Sequence, residues 1–188
     1  MVRGVVCSLL WSVVAFISTE ASAQNRNERE NLVSARDLAT LADLDGLSVS
    51  PDGTWVAFQT RTPDPDRNAF EAAWSIVSVA NPRLVRKVGD AGDPILQDYL
   101  GRQVGTFVVH SATWSPDGRW LAVIRREGND TQIWRIGTAE GEERQLTHNS
   151  GAVVGLVFSR DGESILFETA PSRRQIDAAL AEEGLRGF

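Results

Sequence analysis

An all-β chain of repeated antiparallel meanders is what the sequence predicts, from three observations. A Ser-Pro-Asp-Gly turn appears at Ser50-Pro51-Asp52-Gly53 and at Ser115-Pro116-Asp117-Gly118, with a variant at Ser159-Arg160-Asp161-Gly162. Each turn leads into a strand pattern: Trp55-Val56-Ala57-Phe58, Trp120-Leu121-Ala122-Val123 and Ser164-Ile165-Leu166-Phe167. After the central turn come two more β-rich segments, Gln132-Ile133-Trp134-Arg135-Ile136 and Glu143-Arg144-Gln145-Leu146-Thr147, each behind a Gly-containing break. Apolar–polar alternation about such a turn is a hairpin signal. Four short strands in roughly 36 residues make one unit the size of a β-propeller blade.

Residues 1–23 read as an export signal. Arg3 supplies the positive start, Gly4 to Ile17 the apolar stretch, and Ala21-Ser22-Ala23 the small-residue cleavage site. That stretch is short for a membrane span. Cleavage, no stable membrane anchor and a periplasmic or secreted product are therefore expected. Cys7, the only cysteine, departs with the signal and leaves no thiol for a disulfide, metal or nucleophile. Residues 24–46 form a polar lead with a short helix. Leu38, Leu41 and Leu44 carry the apolar spacing, Ser34 is placed to cap, and Asp45-Gly46 would end it.

Residues 47–188 are expected to form an incomplete propeller with blades at about 47–88, 112–147 and 156–188, the last truncated. Serines 115 and 159 are about 44 residues apart, one blade length, whereas serines 50 and 115 are about 65 apart, which needs an insertion. Arg61 to Asn68, rich in turn formers, lengthens the loop before a third strand at Trp74 to Val79; a fourth strand runs Leu84 to Val88. Gly89 to Gly105 has little periodicity and reads as a long surface excursion. Beyond Pro171 a short C-terminal helix is inserted after the second strand of the third blade, whose third and fourth strands do not follow. Ser172 caps it, Ile176, Ala179 and Leu180 share a face, and Gly184 stops it. About two and a half blades result, and closed propellers use about four to eight. The chain is accordingly expected to be a piece of a longer protein.

The conspicuous residues are explained by structure rather than reaction. In each turn Pro presets φ, Asp bonds its own backbone and Gly takes the left-handed position. Trp55, Trp120 and Trp134, with Trp74 and Trp114, recur at strand positions that pack sheet on sheet. No Gly-x-Ser-x-Gly elbow, paired-histidine zinc motif or phosphate loop occurs. His110 and His148 stand outside any constellation, and His148 could face a central pocket or sit in an exposed loop. Ser50, Ser115 and Ser159 have no paired base. No catalytic residue, cofactor or metal ligand is assigned. The net charge of −6 argues against nucleic acid, which needs clustered Lys and Arg.

The turn repeats, with Gln132-Ile133-Trp134-Arg135 and Arg144-Gln145-Leu146-Thr147, resemble TolB-type periplasmic propellers. They equally resemble the propeller preceding the hydrolase domain of prolyl-oligopeptidase-family serine peptidases. Four stretches narrow the resemblance: Arg36-Asp37-Leu38; Arg67-Asn68-Ala69-Phe70-Glu71-Ala72-Ala73-Trp74; Gly89-Asp90-Ala91-Gly92-Asp93-Pro94; and Ala178 to Phe188. Together they look like the amino-terminal portion of the lasso peptide isopeptidases. The resemblance implies serine-dependent hydrolysis of the isopeptide bond between a peptide's amino terminus and an Asp or Glu side chain. Its Ser, Asp and His would lie in a carboxy-terminal α/β-hydrolase domain absent from this chain. The chain itself would wall, gate and help hold the peptide, with Arg61 to Asn68 and Gly89 to Gly105 as candidate contacts. The alternative is a TolB-like module that binds a protein or peptide without enzymatic activity.

Overall fold

The structure, a computed structural model, describes residues 32–99, 102–139 and 141–186. The expected signal at 1–23 and residues 24–31 of the polar lead lie outside the described residues. The chain divides into two units, 1–39 and 40–188. In the first, α1 (Ala35–Ala39) is a single short turn. Ser34 caps it reciprocally: its Oγ accepts from Asp37 N at 3.1 Å, and its N–H donates to Asp37 Oδ2 at 2.8 Å. The helix does not continue to Asp45-Gly46 as expected. From Asp43 the residues alternate, and the chain becomes a strand.

The second unit is all-β until its last helix, with four antiparallel sheets. Strands β1 (Asp43–Val49), β2 (Trp55–Asp64), β3 (Ala69–Ser78) and β4 (Val85–Asp90) form the first meander. A separate hairpin, β5 (Ile95–Tyr99) and β6 (Arg102–Val108), follows it. The second meander comprises β7 (Thr113–Trp114), β8 (Trp120–Glu127), β9 (Asp130–Gly137) and β10 (Glu143–Gln145). Last come the pair β11 (Ala152–Phe158) and β12 (Ile165–Ala170), then α2 (Arg173–Leu185).

Three boundaries differ from expectation. The segment 61–68 is not a lengthened loop: β2 and β3 stay paired to Asp64↔Ala69, so the third strand begins at Ala69. Pro63 is tolerated because β1 pairs β2 only as far as Arg61, leaving that edge without a ladder to break. Gly89 to Gly105 is not an irregular excursion, since it finishes β4 and builds most of a hairpin. Gly184 does not stop α2, which runs to Leu185 and caps at Arg186 in the right-handed region. Ser172 does cap it, in a capping box with Gln175.

The two meanders and the β11–β12 pair stack face on face. Ala57, Trp74, Ile76 and Val88 of the first pack against Leu121, Val123 and Ile136 of the second. The opposite face of the second presents Ala122, Ile124 and Ile133 to Val153, with Leu156, Phe158 and Ile165 around them. Strand β8 is thus covered on both sides, which is why its apolar run is continuous. Burying each large side chain here contributes about 1.5–3 kcal/mol. The first strands converge: β1 touches β7 and β7 touches β11. Trp114 Nε1 fastens two of them, donating to Ser48 O at 3.2 Å. Among the described residues, no helix is long and apolar enough to cross a membrane.

Candidate functional site

The two ends of the stacked sheets are chemically different. At one end lie the three Ser-x-Asp-Gly turns, built alike. Ser50, Ser115 and Ser159 each donate from Oγ to the turn aspartate at 2.6, 2.6 and 2.5 Å. Each Oγ also accepts a backbone N–H five residues on, from Trp55, Trp120 and Ser164. Gly53, Gly118 and Gly162 take φ of 73°, 70° and 73°. The hydroxyl and backbone bonds hold Asp52 and Asp117 down at about 2, and lower Asp161 in the same sense. Every serine hydroxyl is committed to its turn, so this end is scaffold.

Strand direction places the other features at the opposite end. Strands β2, β4, β8 and β12 all run away from the turn end, and the chain departs from the repeat where β2, β4 and β12 finish. The extended β2–β3 hairpin, the β5–β6 hairpin and α2 therefore all emerge together.

Gly89 to Pro94 straps this end of the first meander to the second. Asp90 N–H donates to Glu143 Oε1 at 2.8 Å, and Asp93 N–H to Arg126 O at 2.9 Å. Asp93 Oδ2 accepts from Gly128 N at 2.8 Å. Gly92, with φ of 73°, lies so close to the Arg126 carbonyl that a Cβ would collide with it. Arg125 closes the strap, bonding Glu143 at 2.5 Å, Glu127 at 2.6 Å and Asp90 at 3.2 Å while stacked 4.3 Å over the Trp134 ring. Of these, Asp90, Gly92, Asp93, Arg125, Glu127 and Gly128 line a pocket of about 540 Å³.

The two hairpins brace each other. Phe70 of β3 meets Phe107 of β6 edge-on at 5.2 Å, and the buried Arg61 guanidinium lies 4.1 Å over Phe107. Arg61 also pairs with Asp43 at 2.7 Å. Beside them runs a groove of about 370 Å³ between β5–β6, the β8–β9 turn, β11 and α2. His110 lines it, and burial pushes its imidazole pKa down, favouring the neutral form. His148 is exposed in the β10–β11 connection and does not line the groove.

Both candidate contact segments reach this end, 61–68 through its hairpin and 89–105 through strap and hairpin. Arg125 and Arg126 were missed by sequence reasoning; adjacent arginines closing an apolar strand were the available signal. Trp55, Trp120 and Trp134 pack against the cores, as expected, but each also carries an arginine on its ring. Among the described residues, no group of three or more His, Cys, Asp or Glu could hold a metal.

No family model matches the chain. It is homologous to the lasso peptide isopeptidase AtxE2 of Asticcacaulis excentricus, 27% identical over 180 residues, covering 85% of this chain and 24% of the relative. It is 28% identical over 141 residues to the uncharacterized peptidase YuxL of Bacillus subtilis, covering 73% of this chain and 19% of that one. The chain thus spans about a quarter or less of these relatives. Among solved structures, a serine-to-alanine variant of AtxE2 with Astexin3-dC4 bound has a TM-score of 0.68 at 22% identity, over 83% of this chain and 26% of that one. The acylaminoacyl peptidase of Pyrococcus horikoshii gives 0.50 at 15%, over 69% and 17%.

Proposed function

We propose, from the homology to AtxE2, that this chain is the amino-terminal propeller portion of an exported serine peptidase that opens the isopeptide bond of lasso peptides. In this reading the stacked meanders are two propeller blades and the start of a third. The serine, aspartate and histidine of the reaction lie in a hydrolase domain outside this chain. The chain's own part is to gate and hold the peptide. The observation that carries this is the gathering of all three non-repeat segments at one end of the sheets, around a groove and a pocket. A repeat used only as scaffold has no reason to vary at one end alone. Export to the periplasm or beyond is supported by the pattern of residues 1–23.

The test uses the complete reading frame that carries this chain, incubated with a threaded lasso peptide. The expected result is a product heavier by one water at the ring linkage, abolished by a fluorophosphonate that modifies active serines. Retention of the peptide, bound but unhydrolysed, would instead establish the alternative: a TolB-like binding module without enzymatic activity.

A further inference from the structure

The groove between β5–β6 and β11 has a composition at odds with the rest of the chain. The whole sequence carries a net charge of −6, yet among the described residues no Asp or Glu lines the groove; its charged residues are Arg126 and Arg173, the latter paired with Asp177. Ile95, Val108, Val153, Val154 and Ile176 supply an apolar lining. Arg126 is oriented by backbone carbonyls and makes no ion pair among the described residues, while Asp93 and Glu127 line the neighbouring pocket on its other side. Its Nε donates to Gly128 O at 2.7 Å and its Nη1 to Pro94 O at 2.8 Å, both carbonyls. Two strands reach the groove with unpaired edges, since β5 pairs only with β6 and β11 only with β12 among the described residues. Such edges offer rows of N–H and C=O to an extended backbone.

We propose that this groove is a subsite for a short apolar peptide segment bearing a free carboxylate, the carboxylate lying against Arg126. At about 370 Å³ it is at the small end of ligand pockets and takes a few side chains rather than a whole folded peptide. Apolar side chains displace water from Ile95, Val108 and Ile176, while the carboxylate gains a charge-assisted bond. The inference rests on the peptide-substrate reading above and adds to it the chemistry of the part held.

The test measures fluorescence anisotropy of the protein from the complete reading frame with two probes. One is a fluorescein-labelled Gly-Leu-Val-Leu tetrapeptide with a free carboxyl terminus, the other its carboxamide. The acid binds about tenfold more tightly than the amide, and Arg126→Gln erases the difference. Because Arg126 also holds Pro94 and Gly128, Ile176→Glu provides a second variant. It puts a carboxylate into the groove from α2, a helix with no buried residue, and weakens the acid probe about tenfold at unchanged Tm. Equal affinity for acid and amide, or wild-type binding by Ile176→Glu, overturns the proposal. Hydrolysis of a threaded peptide without acid-selective binding removes the subsite and leaves the peptidase reading. Acid-selective binding without hydrolysis does the reverse.

Discussion

The turn end and the insertion end are built from the same strands, and they differ in how far each residue must reach for its partners. At the turn end the bonds that shape each turn close within five residues, as from Ser115 Oγ to Asp117 and from Trp120 N–H back to Ser115. At the insertion end the bonds cross the chain: Asp90 to Glu143 spans 53 positions, and Gly128 to Asp93 spans 35. Local closure lets a turn be copied three times without consulting its surroundings. Long-range closure ties each residue to one particular neighbour, so the insertion end is singular and the more easily broken.

The largest effect is expected from glycines placed at the two ends. Gly92→Ala adds a Cβ at φ of 73° against the Arg126 carbonyl, and should destabilise by about 3 kcal/mol. Gly118→Ala meets the same backbone penalty at 70° with nothing within reach, and should cost about 1 kcal/mol. Denaturant unfolding of the two variants compares them directly, and equal losses would refute the strap's tightness. Next, Arg125→Met leaves Asp90, Glu127 and Glu143 facing one another without their shared cation. Because two of these carboxylates are half exposed, the loss should be about 2 kcal/mol and should shrink in high salt.

Smaller effects grade the turns. Ser115 is 1% exposed, so Ser115→Ala strands the Trp120 N–H and should cost about 1–2 kcal/mol. Ser159→Ala removes the same bonds where water can replace them, and the thermal shift should be under half as large. The smallest signal is in acid. Asp52 and Asp117 titrate at about 2 when folded, below the ordinary 3.8, so the unfolded chain takes up protons first as pH drops. Their contribution is fully present above the unfolded value and is lost as pH falls through about 2. A double Asp52→Asn, Asp117→Asn variant should therefore show a flatter fall of Tm over that window.

Legibility followed the same division. The turns, the strands beginning at Trp55 and Trp120, and the Ser172 cap were readable because each signal is local: a fixed φ, a hydroxyl within reach, an alternating face. The start of β1 was misread because Leu38, Leu41 and Leu44 mimic a helical spacing that three residues cannot settle. Gly89 to Gly105 looked irregular because its order comes from partners far along the chain.

Composition, alternation and turn chemistry by themselves determined an all-β protein of repeated antiparallel units, since strand pairing about a tight turn needs only neighbouring residues. The tertiary structure alone decided that the three departures from the repeat gather at one end. It also placed Arg125 among three carboxylates, and made a groove between elements distant in sequence that no acidic side chain lines among the described residues. These are properties of stacking direction. Stacking is set by the combined apolar faces of whole sheets, which no single stretch of sequence contains.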